Sequence, residues 1–176
     1  VIERSQAYCT GLSVRCQRTG IDISKPGPDR AVVGHPDLTA LLGNKVHHND
    51  FEGIFASGNV LAAGNTGNHN GHYGIRVEDG ADVLRNVVHH HATGISALGS
   101  TSDVIENRSY INTDKGIEAG LDSNILRNVT YSNEVNGIYG QRFSGLIDHN
   151  LVYGTGSNSV HIEGPGKGAQ FINNTV

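Results

Sequence analysis

The sequence repeats about every 21 residues, and this period constrains the fold more than any other feature. An apolar residue followed three positions later by asparagine recurs at steps of 21, 21, 21, 21, 22 and 24 residues. The pairs are Leu41/Asn44, Ala62/Asn65, Val83/Asn86, Val104/Asn107, Ile125/Asn128, Ile147/Asn150 and Phe171/Asn174. A Gly-Ile pair recurs in phase with them, beginning at 53, 74, 94, 116 and 137, and Ser159-Val160 follows. A fixed period of this length is typical of solenoids.

Each repeat consists of short runs in which apolar and polar residues alternate, such as Ile75-Arg76-Val77-Glu78, separated by Gly, Asn, Asp and Ser. This pattern predicts strands and turns and leaves no room for a helix. One unit cannot enclose a core, but coils stacked about 4.8 Å apart pair strand on strand and bury one interior. The sequence therefore predicts an all-β parallel solenoid with about eight coils of about 21 residues.

The asparagine after each apolar marker is expected to occupy a left-handed turn and to hydrogen-bond along the solenoid axis. Asn49, Asn70, Asn112 and Asn133 form a second column of the same kind.

Two stretches, IENRSYINTDKGI (105–117) and ILRNVTYSNEVNGI (125–138), resemble the right-handed parallel β-helix repeat proteins. In that family an Asn-rich turn, an apolar and aromatic strand and a Gly-Ile strand alternate. The resemblance covers roughly residues 41–176 and implies a single-stranded right-handed parallel β-helix. It does not select one activity, because the same repeat builds polysaccharide lyases, alginate epimerases, periplasmic accessory proteins and structural stalks.

Residues 1–176 are predicted to form a single β-helix domain, with regular coils over 41–176 and irregular first coils over 1–40. The step from Gly20 to Gly53 exceeds one coil by twelve residues, which places a projecting loop at 24–38, where three of the four prolines lie. Cys9 and Cys16 are either bridged in an oxidising compartment or two buried thiols.

The charge pattern excludes some partners. The formal net charge is −4, and the scattered Lys and Arg form no basic stripe for nucleic acid. No apolar run approaches the roughly 20 residues of a membrane span. The chain has no Met and begins within a repeat. We therefore expect either a processed product or a segment of a longer protein. The expected location is extracellular, on the cell surface or periplasmic.

Histidines recur in the turn after the Asn marker. Because neighbouring side chains of a strand face opposite ways, the row His89-His90-His91 is not expected to converge on one ion. The column His48, His69 and His90 is spaced about 4.8 Å per coil, so a neighbouring pair is a candidate Zn²⁺ or Cu²⁺ site. The alternative is a structural histidine stack, since no Cys or acidic ligand joins the column.

No resident cofactor is predicted. Asp82 and Asp103 share one turn column and are a candidate Ca²⁺ pair, with a solvated acidic turn as the alternative.

The Gly-Ile strand predicts an outward surface of mixed chemistry. Its first outward row is Phe55, Arg76, Ser96, Glu118, Tyr139 and His161, and its second is Ser57, Glu78, Leu98, Gly120, Gln141 and Glu163. Aromatic, charged and amide groups suit sugar hydroxyls and uronate carboxylates, and they equally suit solvent.

A catalytic set is predicted within this surface. Tyr139 and His161, about 5 Å apart on neighbouring coils, are candidate acid and base for β-elimination or epimerisation of a uronate, with Glu118 on the preceding coil. Arg76 or Arg142 would hold the carboxylate. Phe55, Glu78, Gln141 and Glu163 complete the predicted substrate-binding residues.

The sequence therefore indicates two functions. The first is a structural and interaction segment with a carbohydrate-contacting face; because open solenoid ends expose unpaired strand edges, copies are expected to associate end to end. The alternative is a polysaccharide lyase or uronate C5-epimerase acting on an acidic polysaccharide.

Overall fold

The computed structural model describes residues 2–3, 6–8, 19–24, 39–99, 101–164 and 166–176. Over these residues all regular structure is β, in 22 short strands that pair only in parallel. Cys9, Cys16 and the predicted loop residues 25–38 lie outside the described residues. None of the described segments forms a helix long and apolar enough to cross a bilayer.

The strands form three parallel sheets, which we name A, B and C. Sheet A contains β1 (Ile2–Glu3), β4 (Thr39–Leu42), β7 (Val60–Ala63), β10 (Asp82–Leu84), β13 (Asp103–Ile105), β16 (Asn124–Leu126), β19 (Leu146–Asp148) and β22 (Gln170–Ile172). Sheet B contains β2 (Gln6–Tyr8), β5 (Lys45–His47), β8 (Thr66–Asn68), β11 (Val87–His89), β14 (Arg108–Tyr110), β17 (Val129–Tyr131) and β20 (Leu151–Tyr153). Sheet C contains β3 (Thr19–Ser24), β6 (Glu52–Ser57), β9 (Tyr73–Glu78), β12 (Thr93–Ala97), β15 (Lys115–Ala119), β18 (Asn136–Gln141) and β21 (Asn158–Glu163).

The strand register confirms the predicted parallel solenoid. Each strand pairs with the strand three places later in the chain, so one coil contributes one strand to each sheet. The Ile residues of the Gly-Ile pairs lie directly over one another, as in Ile75, Ile95 and Ile117. Six complete regular coils, β4–β21, lie between residues 39 and 163. The repeat spacing predicted about eight; the difference arises because β1–β3 are separated from β4 by the long insertion and β22 stands alone at the other end.

The core is one column of small and branched side chains along the axis. Leu41, Ala62, Val83, Val104, Ile125 and Ile147 fill it from sheet A. Ile54, Ile75, Ile95, Ile117 and Ile138 fill it from sheet C. All of these side chains are at most 1% exposed.

The glycine of each Gly-Ile pair is required by the close approach of the next coil. A Cβ added to Gly116 would lie 2.6 Å from the carbonyl oxygen of Gly137, and one added to Gly53 would lie 2.6 Å from that of Gly74. Real Cβ atoms essentially never approach backbone this closely. The last coil has Ser159 at this place, in β21, the edge strand of sheet C.

The marker asparagines are buried and joined by hydrogen bonds from coil to coil. Asn86 Nδ2 donates to Asn107 Oδ1 at 3.0 Å, and the backbone N–H of Asn86 donates to the same oxygen at 2.8 Å. Asn107 repeats both bonds with Asn128 and also donates to the carbonyl of Val83 at 2.9 Å. Each amide is thereby satisfied without water.

The left-handed conformation belongs to the residue before each marker asparagine, contrary to the sequence prediction. Positive φ occurs in one column at Gly43, Gly64, Arg85, Glu106, Arg127, His149 and Asn173, and in a second at His48, His69, His90, Ile111, Ser132 and Gly154. No marker asparagine between residues 44 and 174 has a positive φ. The asparagines serve the turn through their side chains instead.

Candidate functional site

The outer surface of sheet C, hereafter the sheet C face, has three aligned rows of side chains. The first row predicted from the sequence is present in the expected register throughout, and in the second row Ser57 is paired with Glu78 and Gln141 with Glu163. A third row precedes the Gly-Ile pairs and consists of Glu52, Tyr73, Thr93, Lys115, Asn136 and Asn158. Sequence reasoning missed this row, although its signal is simple: each member stands immediately before the repeating glycine or, in the last coil, Ser159.

Arg76 is the centre of a polar group on the first coils of this face. Its guanidinium lies 3.5 Å from Glu52 and 2.5 Å from Glu78, and it packs over the rings of Phe55 and Tyr73, 5.5 Å from each centroid. Partial burial acts to lower the pKa of Arg76, but the hydrogen bond to Glu78 and the nearby negative charges raise it above its usual value. Two carboxylates of the protein therefore already neutralise this cation.

Lys115 organises the next group in the same way. Its Nζ lies 2.7 Å from Asp114 and 3.3 Å from Glu118, and it packs 5.1 Å from the ring centroid of Tyr139. Burial acts to lower the pKa of Lys115, but the hydrogen bond to Asp114 and the negative charge of Glu118 raise that pKa above its usual value. Glu118 faces outward as predicted, yet it is only 4% exposed. Its carboxylate is therefore held within the protein's own ion pair.

Tyr139 and His161 are neighbours on β18 and β21, as predicted. Their rings meet edge to face with centroids 5.5 Å apart. The Tyr139 hydroxyl donates a hydrogen bond to the carboxylate of Glu163. That bond is the main cause that raises the pKa of Tyr139, with burial second. The phenol thus remains protonated at neutral pH and can act as a hydrogen-bond or proton donor.

Gln141 and Arg142 lie at the border of the sheet C face. With Leu98 and Leu121 they line an open groove of about 320 Å³. Arg142 has a left-handed φ of 51° and an exposed side chain. Within the described part of the chain it has no ion-pair partner, unlike Arg76 and Lys115. Its guanidinium is therefore available to an incoming carboxylate.

The predicted site residues of this face therefore form two sets, with Glu118 on β15 between them. Tyr139, His161, Glu163, Gln141 and Arg142 gather on the last two regular coils. The residues Phe55, Arg76 and Glu78 lie on β6 and β9, three or more strands away in the sheet. A single small substrate cannot contact both sets, but a chain molecule lying along the axis can.

The outer surface of sheet B offers aromatic rings in a different arrangement. His89, Tyr110, Tyr131 and Tyr153 stack face to face with centroids 4.8–5.1 Å apart. Arg108 also donates hydrogen bonds to the Tyr131 hydroxyl at 2.7 and 3.1 Å. Because each inner ring covers the faces of its neighbours, these faces are not open for stacking against a sugar.

The histidine column His48, His69 and His90 is present and stacked. The ring centroids are 5.3 and 4.5 Å apart, with interplanar angles of 7° and 14°. In the described residues no three His, Cys, Asp or Glu side chains are placed to hold one metal ion.

The two carboxylates of the candidate Ca²⁺ pair accept hydrogen bonds from the protein itself. Asp82 accepts the backbone N–H of Asp103 at 2.9 Å, and Asp103 accepts Asn124 Nδ2 at 2.8 Å.

Comparisons with known proteins agree with the architecture. The family model described as "Right handed beta helix region" matches residues 38–176. No curated protein sequence matches the chain significantly. Among solved structures, the chain is similar to the periplasmic alginate epimerase AlgG, with a TM-score of 0.69 and 18% identity over 78% of this chain. A double mutant of that enzyme gives a TM-score of 0.65 and 16% identity over 79% of this chain.

These structural similarities are limited in extent. The matched region spans 39% of the AlgG chain and 43% of the double-mutant chain. At these identities the likeness concerns the fold alone.

Proposed function

This chain belongs to the right-handed β-helix family, and on this basis we propose that it is a rigid solenoid segment that binds a polysaccharide along its sheet C face. The observation that carries the proposal is the series of preorganised polar and aromatic groups on successive coils of this one sheet. Glu52, Arg76 and Glu78 form the first group. Asp114, Lys115 and Glu118 form the second, and Tyr139 with Glu163 forms the third.

Such groups suit a hydroxyl-rich ligand. Glu78 and Asp114, the partly exposed carboxylates that Arg76 and Lys115 orient, accept hydroxyl hydrogen bonds at little further entropic cost. The ring of Tyr139 adds an amphipathic surface beside them. The regular spacing of coils, about 4.8 Å, presents these contacts in a line, as an extended chain requires.

The charge of the face selects among polysaccharides. Its three rows contain four carboxylates, Glu52, Glu78, Glu118 and Glu163, against two cations, Arg76 and Lys115. A densely charged polyuronate would be repelled along most of this surface. We therefore infer a ligand of low charge density, with Arg142 as the place where an occasional uronate carboxylate binds.

Binding is tested by calorimetry with the full chain and three soluble polysaccharides: a neutral glucan, alginate and polygalacturonate. We expect Tyr139→Ala to weaken binding of the preferred polysaccharide at least about tenfold, which corresponds to about 1.4 kcal/mol. Tyr131→Ala on sheet B is the matched control and should leave the affinity unchanged. Absence of binding to all three, or an equal loss in both variants, would contradict the proposal.

A second candidate, a polysaccharide lyase or C5-epimerase, is favoured by one specific observation. Tyr139 carries a protonated hydroxyl next to the ring of His161, and Arg142 is nearby in sequence with a free guanidinium. In this mechanism His161 removes the C5 proton of a uronate while Arg142 neutralises its carboxylate. Tyr139 then donates its proton to the departing O4, which completes the elimination. AlgG, which shares the fold, is an alginate epimerase.

Activity is measured as ultraviolet absorbance of the unsaturated product and as incorporation of solvent deuterium at C5 by NMR. A true catalytic role predicts that Tyr139→Phe, which keeps the ring, abolishes turnover while polysaccharide binding persists. His161→Ala should act likewise. Turnover unaffected by both substitutions would eliminate this catalytic set and leave the binding role standing.

An extracellular or periplasmic location accompanies the proposal, since AlgG is periplasmic.

End-to-end association of copies also stays a prediction. The edge strand β22 exposes Phe171 and Ile172, at 51% and 42%, and unpaired edges invite pairing. Sedimentation across a concentration series checks it, and Phe171→Lys should reduce any association observed.

A further inference from the structure

Five histidines lie together where sheet B ends, on three consecutive coils. We call His47, His48, His69, His89 and His90 the histidine cluster. His47 and His89 are the last residues of β5 and β11, and His48 and His90 are the left-handed residues that follow them, with φ of 57° and 61°. His69 follows β8 with a φ of 51°.

The left-handed turn brings sequence neighbours together. Within a strand His47 and His48 would face opposite sides, but His48 lies beyond the strand end. The Nδ1 atoms of His47 and His48 are 3.0 Å apart, and those of His89 and His90 are 2.6 Å apart. His89 and His90 therefore do not face opposite ways as neighbouring strand residues do, although among the described residues the row His89-His90-His91 does not gather round one ion.

The stacked column and the adjacent pairs differ in what they can bind. An imidazole coordinates a metal through a lone pair in the plane of its ring. The rings of His48, His69 and His90 are nearly parallel, so their lone pairs lie in parallel planes and do not converge on one ion. In each adjacent pair, by contrast, the rings are steeply inclined, at 88° for His47 and His48 and 75° for His89 and His90, and their Nδ1 atoms lie within hydrogen-bond distance of each other.

The spacing of the His47 and His48 nitrogens matches chelation, and that of the His89 and His90 nitrogens is slightly shorter. Two nitrogens each 2.0–2.1 Å from one ion lie about 2.9 Å apart at a right angle and about 3.3 Å apart at the tetrahedral angle. His47 and His48 meet the right-angled value, and His89 and His90 reach it if their nitrogens separate by a few tenths of an ångström. Right-angled positions are those of square-planar Cu²⁺, which also heads the affinity order of divalent ions for imidazole.

We propose that the histidine cluster holds two independent two-nitrogen sites for Cu²⁺, one formed by His47 and His48 and the other by His89 and His90. On the intervening coil Asn68 replaces the first histidine, and its Oδ1 lies 3.1 Å from His69 Nδ1. His69 thus separates the two sites without forming a third pair.

The proposal is tested by calorimetric titration of the untagged full chain with CuSO₄ at neutral pH, together with electron paramagnetic resonance of the bound ion. We expect two equivalents per chain and nitrogen hyperfine splitting. His48→Gln and His90→Gln should each remove one equivalent, and the double variant should remove both. His149→Gln is the control, because His149 is exposed and left-handed but is paired with Asp148 at 2.8 Å.

Two results would overturn the assignment. A single equivalent that is lost in both His48→Gln and His90→Gln would indicate one shared centre. Unchanged binding in the double variant, or an equal loss in His149→Gln, would indicate unspecific uptake by surface histidines. Circular dichroism of each variant verifies that the solenoid is intact, and polysaccharide binding on the sheet C face is measured separately in the presence of a chelator.

Discussion

The imidazole of His91 is accommodated by the missing side chain of Gly67. Gly67 stands in the inward row of sheet B between Val46 and Val88, and a Cβ added there would lie 3.6 Å from His91 Nε2. His91 replaces an asparagine in the buried column of Asn49, Asn70, Asn112 and Asn133 and keeps the hydrogen bonds that the column makes with backbone N–H groups. Its Nδ1 accepts the Asn70 backbone N–H at 3.1 Å, and its own N–H donates to Asn112 Oδ1 at 3.1 Å.

Substitutions at Gly67 should therefore depend on His91. Gly67→Ala adds only a Cβ in ordinary contact and should change the free energy of unfolding little. Gly67→Val adds two methyl groups against the imidazole and should cost about 2 kcal/mol. His91→Asn opens the space again, so the double variant should recover most of this loss, as measured by urea denaturation. Additive effects of the two substitutions would contradict the coupling.

His91 also predicts a pH dependence of stability. Burial lowers its pKa to about 4, against an ordinary value of 6.5. Protons then bind preferentially to the unfolded chain, so stability is full above pH 6.5, falls as the pH decreases towards 4, and changes no further below that. The integrated loss is about 3 kcal/mol. The difference in unfolding free energy between the natural chain and His91→Asn should follow this curve; a difference independent of pH would refute it.

Glycines of the Gly-Ile pairs should be far less replaceable than turn glycines. In Gly116→Ala the new Cβ meets Gly137 O and Asn133 Nδ2, both at 2.6 Å, so the coils must separate at a cost of about 3 kcal/mol. Gly64→Ala has nothing within 4 Å but a φ of 63°, which costs about 1 kcal/mol. Thermal unfolding of both variants gives the ranking, and a larger loss at Gly64 would reverse this interpretation.

Replacing one buried asparagine by its acid should test the hydrogen-bonded column. Asn107→Asp keeps the shape but turns two donors, to Val83 O and Asn128 Oδ1, into acceptors. We expect a loss of about 4 kcal/mol at neutral pH. Burial raises the pKa of the new carboxyl, so the loss should shrink as the pH falls and the acid becomes protonated. Asn158→Asp, at an exposed site, should change stability by less than about 0.5 kcal/mol.

The repeat predicted the stacking of coils because units of equal length and similar sequence adopt the same backbone conformation, and each unit then pairs with the next. The stacking of Ile75, Ile95 and Ile117 and the proximity of Tyr139 to His161 follow from that period alone. The repeat spacing did not predict that Glu118 is buried. Glu118 is paired with Lys115, and the row that contains Lys115 does not follow from the alternation of inward and outward residues. The spacing also did not reveal the contact between His89 and His90, because that contact arises from a left-handed turn just beyond the strand.

The sequence by itself determined the period, the parallel pairing and the inward and outward rows, since hydrophobic and asparagine patterns repeated at one interval admit only stacked coils. Only the tertiary structure decided which outward charges neutralise one another and which histidines face each other. It also showed that Gly67 in sheet B lies next to His91, the histidine in the asparagine column. Those relations depend on side-chain directions at turns and on distances between coils, and these are set by packing rather than by spacing along the chain.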